Sequence, residues 1–200
     1  DVKYAESCGI TVKNTPRASS QSVAELAMGH MFSCARYLSI AGHTMREDKW
    51  EKKAYGKGIE LQGKTLGIVG FGRIGQHLGV MAKAIGMKVI AFDIFHIPGI
   101  EEQLGIPYVE MDELLAQSDF VSATLINTSR GTNVDEAALL AALESGKVRA
   151  AGLDVYADEP ATNKALYSHP MVSCTPHIGA ATVEAQKRIG SEIVDIIKSF

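Results

Sequence analysis

Short apolar runs alternate with helix-like stretches along the chain from residue 65 onward. The runs that predict strands lie at 66–69, 89–92, 106–109, 151–155 and 172–175, and another starts at Phe120. The stretches that predict helices lie at 74–85, 112–117, 134–145 and 182–200, with Gly86 and Gly146 placed to end the first and third. This alternation favours a parallel sheet covered by helices on both faces. The expected fold is an α/β, Rossmann-type doubly wound domain.

One earlier stretch, 22–40, is apolar on nearly every side. Its large apolar residues include Val23, Leu26, Met28, Met31, Phe32 and Leu38. A helix without a polar face must be covered all round, so it is either central to the fold or part of an interface. Because a two-fold interface commonly covers such a surface, we expect this helix to be buried between two copies of the chain, in a homodimer or a larger homo-oligomer.

The composition is that of an ordinary soluble protein with one domain or slightly more. The 200 residues carry a formal net charge of −3 and 22% of them are charged, which gives no basic face for nucleic acid. No apolar run reaches the length of a membrane span, and the N-terminus is not typical of a signal peptide. The cysteines, Cys8, Cys34 and Cys174, are widely spaced without a metal-binding motif, so we expect thiols in a reducing cytoplasm and no metal.

The segment 70–75, Gly-Phe-Gly-Arg-Ile-Gly, lies between a predicted strand and a predicted helix. In a dinucleotide fingerprint of this spacing, Gly70 allows the tight turn, Gly72 lets a pyrophosphate approach the backbone, and Gly75 lets the helix pack on the strand. Asp93, at the end of the next apolar run, is placed to accept hydrogen bonds from an adenosine ribose. Because a carboxylate there would repel a 2′-phosphate, we expect NAD rather than NADP.

Three polar residues follow predicted strands in the second half of the chain, where the ligands of such sheets bind. Arg130 can grip a carboxylate through two hydrogen bonds, and the imidazole of His177 can transfer a proton near neutral pH. Glu159 behind the imidazole would fix its tautomer and favour its charged form. Each of these residues alone has an ordinary interpretation as a loop or turn residue. Together with the fingerprint they predict reversible hydride transfer to a 2-keto acid.

The remaining histidines lie on predicted helices or in loops without such neighbours, and no role is assigned to them: His30, His43, His77, His96 and His169.

With these motifs the chain resembles the D-isomer-specific 2-hydroxyacid dehydrogenases, most closely the D-3-phosphoglycerate dehydrogenases. The matching motifs cover almost the whole chain and lie at 14–16, 23–26, 63–70, 127–131, 152–155 and 175–179. The resemblance implies that the arginine, the glutamate before proline and the histidine named above form the catalytic set. It also implies NAD contacts, which we expect from Arg73, Ile74, Asp93, Thr128, Gly179 and, toward the nicotinamide amide, Asp154. Formate dehydrogenases of the same superfamily have Gln in place of Glu159, which speaks against that branch.

The resemblance also divides the chain. The family builds its substrate domain largely from a stretch that would precede Asp1. We therefore expect residues 1–18 to be a remnant of that domain, 19–180 to be the NAD-binding domain, and 181–200 to be a helix that returns to the substrate domain.

The run 118–127 departs from the pattern of the family. It joins the start of one strand directly to the next, although parallel neighbours need a crossover of about a dozen residues or more. In the family, a loop that touches the cofactor and a helix separate these two strands. We therefore expect that Ser122 and Ala123 are not true neighbours and that this loop and helix are missing between them.

The favoured function is an NAD-dependent oxidoreductase that acts on a D-2-hydroxy acid, with 3-phosphoglycerate in serine biosynthesis as the first candidate. Another D-2-hydroxyacid dehydrogenase, such as a glycerate or hydroxypyruvate reductase, is an alternative. A second class is an NAD-sensing regulatory module such as the C-terminal-binding corepressors, which share this fold and can keep the same three residues. A third possibility is a truncated domain that binds NAD without turnover. The sequence leaves the identity of the hydroxy acid open.

Overall fold

The computed structural model describes residues 1–121 and 124–199. The helices are α1 (Val2–Ser7), α2 (Ser20–Arg36), α3 (Leu38–Arg46), α4 (Arg73–Ala84), α5 (Ile100–Leu104), α6 (Met111–Gln117), α7 (Glu136–Glu144), α8 (Lys164–Tyr167) and α9 (Val183–Lys198). The strands are β1 (Thr65–Val69), β2 (Lys88–Phe92), β3 (Thr124–Asn127), β4 (Ala150–Leu153) and β5 (Val172–Cys174). Among these helices, none has the length and apolar character that crossing a bilayer requires.

Every strand pairing in the described part of the chain is parallel. β1 pairs with β2, and β3, β4 and β5 form a second sheet in that order. Single parallel bridges extend the first sheet on both sides, between Leu66 and Phe120 and between Ala91 and Tyr108. The helices that connect the strands pack on the sheets, so the predicted Rossmann-type α/β fold is confirmed.

The predicted strand at 106–109 is wrong in extent, because only one bridge forms there. Pro107 has no backbone N–H and contributes only its carbonyl oxygen, which accepts a hydrogen bond from Ala91 at 2.9 Å. Val109 then donates back to the carbonyl of Ala91 at 2.8 Å, and the pairing stops. The predicted helix at 134–145 likewise begins later, at Glu136, because the side chain of Asp135 caps it.

The apolar stretch 22–40 is not one helix. Tyr37 adopts a left-handed conformation with φ 59°, which ends α2 at Arg36 and starts α3 at Leu38. α2 packs against α4 and across β3, β4 and β5 of its own chain. The chain itself therefore buries most of this helix, and its apolar character no longer requires a second copy.

Two clusters of buried side chains form the core. The larger one lies around β1, β2, α2 and α4, and includes the fully buried side chains of Met31, Phe71, Ile106 and Phe120. The smaller one lies beneath the second sheet and includes Leu139, Leu143, Ala151, Leu153, Leu166 and Val172. The two clusters support the two sheets whose carboxyl ends carry the predicted site residues.

The predicted break between Ser122 and Ala123 lies outside the described residues. Its flanks belong to different sheets: Phe120 bridges to β1, whereas Thr124 begins β3 beside β4. Val121 has φ 123°, a conformation that a β-branched residue rarely adopts. A cavity of about 970 Å³ separates β1 from β3. The described flanks are therefore not one continuous strand, and the missing crossover stays a prediction.

We predict that Gly67→Ala destabilises the fold through α6. A methyl group on Gly67, in β1, would lie 2.8 Å from Cγ of Leu114 and would also meet the hydroxyl group of Ser118. Such overpacking costs about 1–3 kcal/mol in the free energy of unfolding. Gly190→Ala is the matched control, because this glycine lies exposed in α9 with open space around it. Urea unfolding should show the control stabilised by about 0.4–1 kcal/mol; equal effects of the two substitutions would contradict the packing.

Candidate active site

The segment 70–75 forms the turn between β1 and α4. Gly70 has φ 92°, which favours glycine, and its N–H donates to the carbonyl of Phe92 at the end of β2 at 2.8 Å. A Cβ on Gly75 would lie 2.5 Å from the carbonyl oxygen of Gly70, so only glycine lets the helix close onto the turn here. A Cβ on Gly72, at the N-cap of α4, would meet open space. The backbone of the turn is therefore accessible to a ligand at the start of the helix.

Asp93 directly follows β2 and is tied to this turn. One carboxylate oxygen accepts the N–H of Phe71 at 2.7 Å, and the other accepts the N–H of Phe95 at 3.0 Å. The carboxylate thus lies beside the glycine turn, as the sequence predicts for a residue that selects the ribose. Its hydrogen bond to Phe71 gives it a structural role, because it holds the turn in place.

The glycine turn opens onto the cavity of about 970 Å³. Gly70, Gly72, Arg73, Ile74 and Gly75 line one side of it, and Asn127, Thr128, Ser129 and Asn133 line another. Free backbone N–H groups at a helix N-terminus suit phosphate groups. The residues around the turn therefore fit a dinucleotide.

Two residues of the predicted catalytic set, His177 and Glu159, are in direct contact. His177 follows β5 and Glu159 follows β4, and Nδ1 of the histidine lies 2.6 Å from Oε2 of the glutamate. The other carboxylate oxygen of Glu159 accepts the N–H of Tyr156 at 3.2 Å. The imidazole, the Tyr156 N–H and the charge of Arg130 together lower the pKa of the Glu159 carboxyl group, with the hydrogen bond to His177 contributing most. The glutamate is therefore ionised at neutral pH and accepts the Nδ1 proton.

Arg130 follows β3 and lies in the loop next to these two residues. Asn127 shapes this loop, because its amide group donates to the carbonyl of Arg130 at 2.9 Å and accepts from the N–H of Ser129 at 3.1 Å. A Cβ on Gly131 would overlap the backbone carbonyl of Tyr156, so the loop lies directly against the segment that leads to Glu159. The structure therefore brings the three predicted catalytic residues together at one edge of the second sheet.

Asp154 is almost completely buried and holds the loop that carries His177. Its side-chain oxygens accept the hydroxyl group of Thr175 at 2.7 Å, the N–H of Ile178 at 2.8 Å and the N–H of Gly179 at 2.9 Å. The predicted contact between Asp154 and a nicotinamide amide, and the contact from Gly179, stay predictions. The structural role of Asp154 is one that the sequence interpretation missed.

Two further residues of the site were missed. Tyr156 donates its hydroxyl group to the carbonyl oxygens of Leu153 and Thr175 at 3.3 and 3.0 Å, which joins the ends of β4 and β5. His30 was interpreted as an ordinary helix residue, but it is only 3% exposed. The signal for His30 was present in the sequence, because a histidine on an otherwise apolar, buried helix needs polar partners.

Comparison with known proteins agrees with this geometry. The family model described as "D-isomer specific 2-hydroxyacid dehydrogenase, NAD binding domain" matches residues 28–125 and 121–179. The chain is 46% identical to the hydroxypyruvate reductase of Thermotoga maritima over 98% of this chain and 72% of that protein. It is 40% identical to the D-3-phosphoglycerate dehydrogenase of Methanocaldococcus jannaschii, over 99% of this chain and 42% of that protein. A crystal structure of a glyoxylate reductase from Paecilomyes thermophila superposes with a TM-score of 0.91 and 34% identity, covering all of this chain and 67% of the other.

The same matches bear on the junction near residue 122. The family model matches in two pieces that meet at 121–125. The alignment with the Thermotoga protein extends over 225 residues, more than the 200 residues of this chain, so that protein has residues without a counterpart here. The two-piece match supports the prediction that a crossover segment is missing at this point, and the length of the alignment agrees with it.

We predict that His177→Ala raises the pKa of Glu159 toward its ordinary value, because the imidazole contributes most to lowering it. A lowered pKa in the folded state means that the pair stabilises the fold at neutral pH, and that this contribution disappears as the pH falls through that pKa. A ¹³C NMR titration of the Glu159 carboxyl group measures the change. His169→Ala is the matched control in a loop before β5; a Glu159 titration that is the same in both variants would contradict the pairing.

Proposed function

The chain belongs to the D-isomer-specific 2-hydroxyacid dehydrogenase family, a family of enzymes that use NAD, and we propose that it interconverts a D-2-hydroxy acid and the corresponding 2-keto acid. The observation that carries the proposal is the 2.6 Å contact between His177 and Glu159, beside Arg130 at the carboxyl ends of neighbouring parallel strands. A proton-transfer pair next to an anion-binding guanidinium group is what this reaction requires.

NAD is held, in this proposal, by the glycine turn and its surroundings. Gly70, Gly72 and Gly75, with the N-terminus of α4, bind the pyrophosphate group, and Arg73 and Ile74 lie beside it. Asp93 would bind the adenosine ribose and Asp154 the nicotinamide amide, and Thr128 and Gly179 would also contact the cofactor. When bound, NAD would supply the hydride acceptor in the oxidation and, in its reduced form, the hydride donor in the reduction.

The protein side chains bind and orient the substrate and move its proton. The guanidinium group of Arg130 binds the substrate carboxylate through two hydrogen bonds. Because Glu159 is ionised, it accepts the Nδ1 proton of His177 and leaves Nε2 to exchange a proton with the substrate. In the oxidation His177 takes the proton of the substrate hydroxyl group, and in the reduction it returns the proton to the keto oxygen. In both directions Glu159 stabilises the imidazole while it is charged.

The proposal also specifies which D-2-hydroxy acid is the substrate. We propose 3-phosphoglycerate, in serine biosynthesis, as one candidate, supported by the similarity to the phosphoglycerate dehydrogenase of Methanocaldococcus. D-glycerate, with hydroxypyruvate as its keto acid, is the second candidate, and the higher identity to the Thermotoga hydroxypyruvate reductase favours it. The two differ by a phosphate group, which needs cationic or N–H partners in addition to Arg130.

The proposal also includes the domain boundaries, the cellular location and the oligomeric state. We propose that residues 19–180 are the NAD-binding domain, that residues 1–18 and 181–200 contribute to a substrate domain, and that the protein acts in the cytoplasm as a homodimer or a larger homo-oligomer. The contacts of Arg73 and Arg188 support the attachment of these segments: Arg73 donates to the carbonyl of Pro16 at 3.1 Å, and Arg188 of α9 donates to the hydroxyl group of Ser22 in α2 at 3.3 Å. Both ends of the chain are thus fastened to the NAD-binding domain.

We predict that purified protein reduces NAD with a D-2-hydroxy acid and that His177→Ala lowers kcat by a factor on the order of 10²–10⁴, the usual contribution of general acid–base catalysis. The assay compares 3-phosphoglycerate, D-glycerate, D-lactate and D-2-hydroxyglutarate. Glu159→Gln should also lower kcat, because a neutral amide does not stabilise the charged imidazole that forms during proton transfer. NAD binding without turnover on any of the four acids would favour a sensing module or an inactive domain instead.

We predict that the protein binds NAD more tightly than NADP and that Asp93→Ala weakens this preference. The carboxylate of Asp93 repels a 2′-phosphate, and the alanine variant removes that charge. Calorimetric titration with each cofactor measures the ratio of the two dissociation constants. Asp119→Ala, which removes a carboxylate that hydrogen-bonds to the backbone at the start of β1, is the control for loss of charge alone. Equal affinities of the wild-type protein for the two cofactors would contradict the assignment of Asp93.

A further inference from the structure

A chain of polar contacts links helix α2 to the loop that carries His177. His30 is 3% exposed, and its two ring nitrogens both have hydroxyl partners. Nδ1 lies 2.9 Å from the hydroxyl oxygen of Ser173, and Nε2 lies 3.1 Å from that of Thr175. Both hydroxyl groups belong to β5 and the residue that follows it, so the histidine bridges α2 to the end of this strand.

The direction of these hydrogen bonds follows from Asp154, the last acceptor in the series of contacts. Thr175 donates its only hydroxyl proton to Oδ1 of Asp154 at 2.7 Å, so toward His30 it can only accept. Nε2 of His30 therefore carries a proton, and Nδ1 of the neutral ring accepts from Ser173. Burial lowers the pKa of His30, against the opposing charge of Asp154, which agrees with a neutral ring.

The series of hydrogen bonds that starts at His30 ends at the backbone around His177. Asp154 accepts the N–H groups of Ile178 and Gly179, the two residues that follow His177. His177 itself has φ 54°, in the left-handed region that residues with a Cβ adopt at a cost. The contacts of Asp154 therefore stabilise the backbone conformation from which the imidazole reaches Glu159.

β4 leaves room for this arrangement at Gly152. A Cβ at this position would lie 2.6 Å from Cβ of His30, in contact with the first atom of the side chain rather than with its flexible end. His30 consequently packs directly on the strand that carries Asp154. The imidazole and the carboxylate are thus fixed on the same side of the sheet.

We propose that His30 is a positioning residue for His177: it orients Thr175, which fixes Asp154, which in turn holds the loop in which His177 meets Glu159. The role in catalysis depends on the proposed function, in which His177 transfers the proton. The hydrogen-bond chain and its effect on the contact between His177 and Glu159 do not depend on turnover.

The decisive experiment compares His30→Leu with His30→Gln. A glutamine amide can donate to Thr175 and accept from Ser173 as the neutral imidazole does, whereas leucine fills the space without polar contacts. In the leucine variant we expect the Glu159 carboxyl titration, followed by ¹³C NMR, to move toward its ordinary range. We expect kcat to fall by up to about a hundredfold, as misplacement of a catalytic group can produce. In the glutamine variant, the Glu159 titration and kcat should both stay close to those of the wild-type protein.

The control is His77→Leu, the same substitution at an exposed histidine on α4, which should change neither property. If His30→Leu lowers only the melting temperature and leaves the Glu159 titration as in the wild type, the positioning role is wrong. The same conclusion follows if the glutamine and leucine variants behave alike.

A second pair of variants decides the question if His30→Leu does not fold. Thr175→Val removes the hydroxyl group between His30 and Asp154, and Thr175→Ser keeps it. A Glu159 titration that shifts in the valine variant and not in the serine variant supports the proposal, and two unshifted titrations overturn it. Because these titrations need no substrate, they separate a failure of this proposal from a failure of the proposed function.

Discussion

Parallel strand pairing is the constraint on which the candidate site depends. Parallel neighbours have their carboxyl ends at the same edge of a sheet, so residues that follow β3, β4 and β5 must meet although they are far apart in the sequence. Arg130, Glu159 and His177 each occupy such a position. The same geometry places Asp93, after β2, beside the glycine turn that follows β1. The order of the strands therefore determines which side chains can cooperate.

Close backbone approach at glycine converts this rough proximity into contact. Gly75 lets α4 close onto the fingerprint turn, and Gly131 lets the arginine loop lie against the segment before Glu159. Gly152 performs the same function for His30 on β4. In each case a side chain would push apart two segments that carry site residues, so these glycines are required by packing rather than by flexibility.

The features that the sequence could predict are those with a local or periodic signal. The glycine fingerprint, the acid after the next strand and the alternation of strands and helices all have such a signal. The three catalytic candidates were found by their positions after predicted strands, and the family resemblance then assigned their roles. The break of the long helix at Tyr37 has none, because a tyrosine in the left-handed region is set by tertiary contacts. The roles of Asp154 and His30 depend on hydrogen bonds between β4, β5 and α2, and such long-range pairing is not visible in local pattern. The prediction of a full strand at 106–109 was wrong for a reason visible in the sequence, because Pro107 lies within it.

The site combines an exposed pair with a buried chain, and the two need different means of support. His177 and Glu159 have side-chain exposures of 53% and 37%, so solvent and substrate can reach them, but burial cannot fix their positions. Their geometry must therefore come from the backbone beneath them. Asp154 supplies that support from the interior, where a carboxyl group is tolerated only with its hydrogen bonds made. Because each partner of Asp154 belongs to the loop around His177 or to its link with α2, the same contacts that compensate its burial also hold the exposed imidazole in place.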